Sequence, residues 1–322
     1  QEPKMKPESC DEKEILEKLA SKFPLIPAED IKAIYEAQSP EDAVRLLREH
    51  PQAIVIAGGS DVLIKIRGGK LAGCELVSIY ALDELRGVTM TEDKTIRIGS
   101  LTSFHHIYED PLIREHISVL GEAVNMVGGP QIRAIGTIGG NTCNGVTSAD
   151  SASTLCALDA IVEILGENGK RTVPINEFYA GPGKVRLEHN EIQTAILIPE
   201  TSYKGYKGFY IKYGMRNAME IATTGCSVNV KLSDDKTVLD DVRIGYGVAA
   251  PTPIRARNAE EKLRGRSLSD ELIEDCGRAV LKDVTPRDSW RASKNFRLHL
   301  CQTMAKRALR EAITLSGGKL NG

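Results

Sequence analysis

Two glycine clusters contain the residues whose types and spacing could do chemistry. The first cluster, Ala57–Asp61 (A-G-G-S-D), directly follows the apolar run Ala53–Ile56, and the second, G-T-I-G-G-N-T-C-N-G, spans residues 136–145. Paired glycines let a backbone approach a ligand closely with successive N–H groups turned toward it, and nearby hydroxyl and amide side chains donate to phosphate or ribose oxygens. Together the clusters predict a binding site for a phosphate-bearing cofactor, although either one alone is typical of a simple turn.

The usual nucleotide-binding signatures are missing from the chain. No G-x-x-x-x-G-K-S/T sequence occurs, which argues against a P-loop nucleotide hydrolase. A G-x-G-x-x-A sequence does occur at Gly245–Ala250, but Pro251 and Pro253 follow it where a Rossmann unit requires a helix. A cofactor is therefore expected to bind without a Rossmann fingerprint.

Side chains suited to acid–base or nucleophilic catalysis are few. His105 and His106 are adjacent in a helical stretch and are interpreted as a surface pair, whereas Cys143 has no histidine near it in sequence and is expected to pack. No G-x-S-x-G or H-E-x-x-H motif is present. We predict no catalytic residue and no metal ligand, and a binding site without amino-acid chemistry of its own fits a redox cofactor.

The composition argues against several classes of protein. Among 322 residues, 42 basic and 44 acidic side chains leave a formal charge of −2, so no bulk attraction to nucleic acid or to an anionic membrane is expected. The seven cysteines include no C-x-x-C pair, which argues against a disulfide scaffold or a zinc site. No apolar run reaches the roughly 20 residues of a membrane span and no signal segment is recognisable, so we expect a cytoplasmic protein.

The elements that must position the glycine clusters are a mixture of helices and strands up to about residue 205. Ser39 followed by Pro40 predicts the start of a helix that ends near Pro51. Residues 53–56 predict a buried strand that leads through the first glycine cluster and continues into Val62–Ile64. Further strands are predicted at residues 75–79, 95–98, 160–165 and 191–198.

The pattern changes near residue 206. Longer apolar or alternating runs at residues 209–213, 222–232 and 242–248 predict an antiparallel meander. The rest of the chain is mainly helical, with an apolar face on the closing helix formed by Phe296, Leu300, Met304 and Leu309. We therefore divide the chain into an N-terminal arm (1–30), a first domain (31–205) and a C-terminal domain (206–322).

Six longer segments follow one another in a fixed order. They are AGGSDVLIKIR, GPQIRAIGTIGGNTCNGVTSADSASTLCALDA, GPGKVRLEHNEI, YIKYGMRNAMEIATTGCSVNV, YGVAAPTPIRARNAE and SWRASKNFRLHL. This combination resembles the FAD-binding subunits of molybdenum hydroxylases, in particular those of bacterial xanthine dehydrogenases, over about residues 31 to 320. The resemblance implies an α+β fold of the vanillyl-alcohol-oxidase and p-cresol-methylhydroxylase type. In that fold two α/β subdomains hold extended FAD, and a C-terminal domain adds a small antiparallel sheet and helices.

The resemblance also implies an electron-transfer function. A molybdopterin-binding partner subunit would hydroxylate a purine such as xanthine, and a partner subunit with two 2Fe–2S clusters would pass the electrons to FAD in this chain. NAD+ would then receive them as hydride. The implied assembly is a hetero-oligomer of these three subunits, such as a dimer of heterotrimers, with no nucleic acid or membrane as partner.

Three other functions stay open. A subunit of the same kind also fits an enzyme that oxidises nicotinate, an aromatic acid or carbon monoxide, because the molybdenum partner selects the substrate. A self-sufficient FAD oxidase is the second alternative, although the chain shows no His or Cys suited to covalent flavin attachment. A non-enzymatic nucleotide-binding scaffold is the third.

The resemblance further implies which residues contact FAD. The stretch that wraps the pyrophosphate would comprise Val55, Ile56, Ala57, Gly58, Gly59, Ser60, Asp61 and Val62. A second loop, against the pyrophosphate and the ribityl chain, would comprise Thr137, Gly139, Gly140, Asn141 and Asn144. Asp150 would add a polar contact, Ile192 would flank the adenine, and Lys212 would contact the cofactor. Arg216 and Glu220 would lie near the flavin edge and the nicotinamide site.

Two positions depart from the animal xanthine dehydrogenases. Val127 stands where those enzymes have an aromatic residue opposite the aliphatic side chain that flanks the adenine, and Met219 stands where they have an acidic residue. The departures affect stacking on one face of the adenine and the contact to NAD. Some relatives also carry an iron–sulfur cluster in this subunit, but no cysteine cluster supports one in this chain.

Overall fold

Three main β-sheets and the helices that cover them make up the structure. It is a computed structural model that describes residues 31–321, so the N-terminal arm predicted for residues 1–30 lies outside the described residues. Within residues 31–321, no helix is both long enough and apolar enough to cross a membrane. The first two sheets form before residue 206 and the third forms after it.

A three-stranded parallel sheet opens the described chain. Its elements are β1 (Ile31–Glu36), α1 (Pro40–Glu49), β2 (Ala53–Ile56), α2 (Val62–Arg67) and β3 (Cys74–Ser78), and a 3-10 helix at Asp83–Leu85 follows them along the chain. The strand order is β1-β3-β2. Helix α1 begins where the sequence predicts it, because the Ser39 hydroxyl accepts a hydrogen bond of 3.0 Å from the Asp42 amide. Ala43 and Leu47 of α1 are buried in one cluster with Val77 of β3.

The segment after β2 differs from its predicted form. The strand is present, but only its residue Ala53 is buried, because β2 lies at the edge of the sheet. Val62–Ile64 does not continue the strand and instead begins α2. Gly59, with a φ of +72°, ends the extended chain, and its carbonyl accepts a hydrogen bond of 3.0 Å from the Leu63 amide. The first glycine cluster is therefore a strand-to-helix turn.

A five-stranded antiparallel sheet forms the second subdomain. Its strands, with the separate hairpin β8-β9, are β4 (Val88–Met90), β5 (Ile96–Gly99), β6 (Ile161–Gly166), β7 (Gly169–Pro174), β8 (Tyr179–Gly181), β9 (Lys184–Val185) and β10 (Ile192–Ile198). The helices are α3 (Phe104–Glu109), α4 (Pro111–His116), α5 (Ser118–Asn125), α6 (Pro130–Ile135), α7 (Ile138–Cys143), α8 (Asp150–Ala157), α9 (Ile175–Phe178) and α10 (Glu200–Tyr203). The sheet order is β4-β5-β10-β6-β7. The four predicted strands of residues 75–198 are confirmed to within one residue at each end.

The C-terminal region contains the predicted antiparallel meander. Its elements are β11 (Lys207–Tyr213), β12 (Thr224–Leu232), β13 (Val238–Gly247), β14 (Ile254–Arg255), α11 (Arg257–Leu263), β15 (Arg266–Ser267), α12 (Asp270–Ala279), a 3-10 helix (Val280–Lys282) and α13 (Lys294–Leu315). Leu300, Met304 and Leu309 of α13 are buried as predicted. Phe296 is not buried, because the first turn of α13 extends to the sheet edge, where its ring contacts Tyr213 at 5.7 Å between centroids.

Helix α8 joins the two regions of the chain. All of its residues are buried, and it packs on β12 and β13 of the C-terminal sheet. Gly245 on β13 makes this contact possible, since a methyl group there would lie 2.0 Å from the carbonyl oxygen of Ser153. The α8 sequence D-S-A-S-T-L-C-A consists mostly of small residues, which suits a helix enclosed on every side. Its first residue, Asp150, is thereby held at the seam between the two regions.

Candidate functional site

The turn between β2 and α2 has the properties of an anion-binding loop. Residues 55–62 are all half-buried, so the turn is open to a ligand. Within the described residues, the amides of Gly58, Gly59, Ser60 and Asp61 donate no hydrogen bond to another protein group. Adjacent free amides around a residue with positive φ form a concave set of donors that suits phosphate oxygens. The first glycine cluster therefore offers backbone donors that suit phosphate oxygens.

The two glycine clusters lie against each other. A methyl group on Gly58 would lie 2.0 Å from the carbonyl oxygen of Ile135, the last residue of α6 before the second cluster. A second link comes from Lys65, whose Nζ donates to Asn144 Oδ1 at 2.8 Å and forms an ion pair with Asp61 Oδ2 at 2.5 Å. Lys65 is not among the cofactor residues predicted from the sequence. Its spacing of four residues from Asp61 indicates such a pair only on a helix, whereas the sequence predicts a strand at residues 62–64.

The second cluster uses its amides differently from the first. The amides of Ile138 and Gly139 donate to the carbonyls of Thr102 and Ser100, and the amide of Gly140 donates to the Thr137 hydroxyl at 3.1 Å. Gly139 allows the second cluster to pack closely against Ser100, because a methyl group on Gly139 would lie 2.6 Å from the Ser100 side chain. This loop therefore offers a ligand side chains rather than amides.

The side chains that the second loop offers are two asparagines. Asn141 and Asn144 are half-buried, and Asn141 Oδ1 accepts a hydrogen bond of 2.6 Å from Ser151 at the start of α8. Cys143, in the same loop, donates to Gln193 Oε1 at 3.1 Å. Burial raises the pKa of the Cys143 thiol to about 12, so it is not a thiolate nucleophile at neutral pH.

A buried ion pair lies beyond the second loop. Asp150 Oδ2 accepts from Lys212 Nζ at 2.8 Å, and Asp150 Oδ1 accepts from the Tyr210 hydroxyl at 2.8 Å. Lys212 also donates to the carbonyl of Met126 at 2.9 Å. Burial raises the pKa of Asp150, while the ammonium of Lys212 and the hydroxyl of Tyr210 oppose that rise. An ammonium has three N–H donors, so Lys212 keeps one for a ligand after these two bonds.

Two family models match the chain over both regions. The model described as FAD binding domain in molybdopterin dehydrogenase matches residues 29–201, and the model described as CO dehydrogenase flavoprotein C-terminal domain matches residues 209–312. The chain belongs to the FAD-binding subunits of the molybdenum hydroxylases.

Individual relatives resemble this FAD subunit along most of its length. The putative xanthine dehydrogenase FAD-binding subunit XdhB of Escherichia coli (strain K12) is 45% identical over 291 residues, which cover 90% of this chain and 99% of that protein. The nicotinate dehydrogenase FAD-subunit of Eubacterium barkeri is 35% identical and covers 73% of this chain and 80% of that protein. A solved structure of carbon monoxide dehydrogenase from Hydrogenophaga pseudoflava has a TM-score of 0.83 at 28% identity, over 88% of this chain and 97% of that one. The predicted fold, α+β with a C-terminal antiparallel sheet and helices, is thereby confirmed.

The FAD subunit brings most of its predicted cofactor residues into one continuous region. The first loop meets the second through Gly58 and Lys65, and the second loop meets Asp150 and Lys212 through the hydrogen bond between Asn141 and Ser151. Ile192 lies in a different environment. It is 2% exposed and belongs to an apolar cluster that Val55 and Ala57 pack against, so it supports the first loop from beneath.

The remaining predicted positions of the FAD subunit lie on neighbouring segments. Val127 packs against the core of the second subdomain, apart from the cluster of Ile192. Arg216 and Glu220 form an ion pair at 3.2 Å within the loop from β11 to β12. Met219 has a φ of +50° in that loop, and its thioether would lie 3.3 Å from a methyl group on Gly129. The loop therefore reaches from the C-terminal sheet to the start of α6.

Proposed function

We propose that this chain is the FAD-binding electron-transfer subunit of a xanthine dehydrogenase and passes electrons from 2Fe–2S clusters of a partner chain to NAD+. Its FAD-binding part is supported most directly by the first loop, where four adjacent amides that have no acceptor among residues 31–321 lie beside the Gly58–Ile135 contact. The enzyme class is supported by the 45% identity with a subunit named for xanthine dehydrogenase.

The residues that would hold FAD would contact different parts of the cofactor. The amides of Gly58–Asp61 would donate to the pyrophosphate, and the half-buried side chains of Asn141 and Asn144 would meet the ribityl chain. Lys212 would donate its third N–H to the cofactor, with Asp150 holding its ammonium in position. Thr137, Gly139, Gly140 and Ile192 would fix the two loops from behind.

The chemistry would come from the cofactor and the geometry from the chain. Bound FAD exchanges electrons singly and as hydride, so it joins one-electron iron–sulfur donors to a two-electron nicotinamide acceptor. The chain would bind FAD and keep its flavin accessible to both. Arg216 and Glu220, on the loop that reaches the start of α6, would border the nicotinamide site.

An exposed apolar surface supports the proposed hetero-oligomer with molybdopterin and iron–sulfur subunits. Residues 213–221, from the last residue of β11 into the β11–β12 loop, and residues 290–296, from before α13 to its first turn, carry exposed large apolar side chains, namely those of Tyr213, Met215, Met219, Ile221, Trp290 and Phe296. The two segments are in contact through the rings of Tyr213 and Phe296 and the 4.0 Å approach of Arg291 to Glu220. Contiguous exposed apolar side chains are typical of protein–protein interfaces.

The alternative is the FAD subunit of a molybdenum hydroxylase for nicotinate, an aromatic acid or carbon monoxide. The 35% identity with the nicotinate dehydrogenase FAD-subunit favours it, because the two proteins align over 73% of this chain. Under either proposal the substrate binds to the molybdenum partner, so this chain does not select it.

Three measurements test the proposal in sequence. Full-length chain incubated with FAD and passed through gel filtration should elute yellow, and a colourless chain would contradict FAD binding. Anaerobic NADH should bleach the bound flavin, whereas an unchanged spectrum would exclude NAD as the partner in electron transfer. A complex isolated through a tag on this chain should contain molybdenum and iron and oxidise xanthine; oxidation of nicotinate instead would favour the alternative.

A further inference from the structure

The hydroxyl of Tyr210 is the third member of the buried Asp150–Lys212 pair. Tyr210 is 4% exposed and Asp150 is 6% exposed, and the tyrosine hydroxyl donates to Asp150 Oδ1 at 2.8 Å. Lys212 Nζ occupies the other carboxylate oxygen at 2.8 Å. Each oxygen of the carboxylate therefore receives one donor, and both donors come from β11.

The strand geometry holds both donors on one side. Tyr210 and Lys212 are two residues apart on β11, and residues with this spacing point to the same face of a strand. Gly225 on the neighbouring strand β12 leaves room for the hydroxyl, because a methyl group there would lie 3.0 Å from the Tyr210 oxygen. The position of the hydroxyl is therefore set by the sheet and not by a flexible side chain.

We propose that Tyr210 is a positioning residue that keeps Asp150 ionised, so that the Lys212 charge beside the bound cofactor is paired and the flavin potential stays low. The inference rests on the proposed FAD binding at Lys212. An ionised carboxylate balances the ammonium, whereas a protonated one leaves a net positive charge beside the cofactor. Unbalanced positive charge stabilises the reduced flavin, which carries more negative charge than the oxidised form.

Among residues 31–321, few charged or titratable groups surround Asp150. Lys212 and Tyr210, both on β11, act directly on its carboxyl, and the Cys226 thiol of β12 lies beyond Tyr210. The segment after α5 contributes only the Met126 carbonyl, which binds Lys212. Burial already raises the pKa of Asp150, so loss of the tyrosine hydrogen bond should raise it further.

The experiment is a redox titration of the FAD-loaded full chain from pH 5 to pH 9. In Tyr210→Phe the midpoint potential should exceed that of wild type at acidic pH and converge with it at alkaline pH. We expect at least a tenfold change in the ratio of affinities for reduced and oxidised flavin at the acidic end, which is about 30 mV for two electrons. Asp150→Asn should show the raised potential at every pH.

A matched control exists on β8. Tyr179 is also buried, and its hydroxyl has no hydrogen-bond partner within the described residues, so Tyr179→Phe removes an equivalent group without touching Asp150. The potential of Tyr179→Phe should follow that of wild type. A Tyr210→Phe profile parallel to wild type at all pH values would overturn the inference while leaving FAD binding intact, whereas a wild-type chain that takes up no FAD would overturn the proposed function itself.

A second readout needs no flavin. Without FAD, Tyr210→Phe should change the pH dependence of the unfolding free energy, measured in urea, because it changes the pKa of Asp150 in the folded chain. In an Asp150→Asn background the same substitution should leave that pH dependence unchanged. A pH-dependent effect that persists in this background would assign Tyr210 a role independent of Asp150 and would overturn the inference.

Discussion

The contact between the first loop and α6 is the feature on which the proposed FAD site depends most. Gly58→Ala adds a methyl carbon that would lie 2.0 Å from the Ile135 carbonyl oxygen, whereas such carbons keep at least 3.0 Å from their neighbours. Both partners are backbone, so no side-chain rotation relieves the overlap. The two segments must therefore separate by about 1 Å.

A separation of this size should weaken FAD binding strongly. Hydrogen bonds of about 2.9 Å from the loop amides to the pyrophosphate would lengthen to about 3.9 Å, which is beyond bonding distance. The loss of two such bonds to a charged group, at about 1.5–3 kcal/mol each, amounts to roughly 3–6 kcal/mol. The Kd for FAD should rise roughly a hundredfold to ten-thousandfold, and the unfolding free energy without FAD should fall by about 1–3 kcal/mol.

Flavin fluorescence titration gives the Kd, and urea unfolding of the FAD-free chain gives the stability. The matched control is Gly181→Ala, because a methyl group at that glycine has no atom within 4 Å and its φ is not positive. The control should bind FAD like wild type and change the unfolding free energy by no more than about 0.5 kcal/mol. An unchanged Kd in Gly58→Ala would refute both the loop assignment and the steric reasoning behind it.

Three further predictions concern neighbouring residues. Gly59→Val should abolish FAD binding, because a β-branched residue disfavours the φ of +72° and fills the loop; equimolar flavin after gel filtration would contradict this. Lys65→Met removes the links to Asn144 and Asp61 and should raise the Kd for FAD about tenfold. Lys70→Met is the control and should leave the Kd for FAD unchanged. Lys212→Met leaves the Asp150 carboxylate buried without its cation and should lower the unfolding free energy at neutral pH by about 3–5 kcal/mol. Burial raises the pKa of the Asp150 carboxyl in the folded chain above its pKa of about 3.9 in the unfolded chain. The contribution of this carboxyl to the unfolding free energy therefore falls as the pH rises from the unfolded-state pKa through the folded-state pKa. The deficit of Lys212→Met in urea should therefore shrink on acidification, and a deficit independent of pH would argue against Asp150 as its cause.

Local patterns were sufficient to predict the helices α1 and α13 and eight of the strands. The Ser39–Pro40 start of α1 and the apolar strands β5, β6 and β10 depend on neighbouring residues in sequence, so their ends could be predicted to within one residue. Strand β13 begins at Val238, four residues before its predicted start. The V-L-I-K-I-R run of α2 could not be assigned in this way, because four apolar residues in six are equally typical of a buried strand. The turn at Gly59, with its positive φ, decides between the two, and the adjacent Gly58 lies against α6, a tertiary contact that local sequence does not report.

The site could be predicted only in part for a similar reason. The glycine clusters are visible in sequence, but their different roles are not, because the acceptors for the amides of Ile138 and Gly139 come from residues 100 and 102. Lys65 and Tyr210 act on partners 79 and 60 residues away along the chain. No periodicity or local spacing reports contacts over such distances.

The enclosed helix α8 has a consequence for how the chain can be divided. The boundary predicted near residue 206 separates two sequence patterns. Helix α8 lies before this boundary, yet it is buried against β12 and β13, which lie after it. In a fragment that ends near residue 205, one side of α8 would be exposed to water. The remaining fragment would expose the sheet surface that α8 covers. The two regions should therefore unfold in one transition and fail to fold as separate fragments. A rearrangement of one region during turnover should also change the conformation of the other.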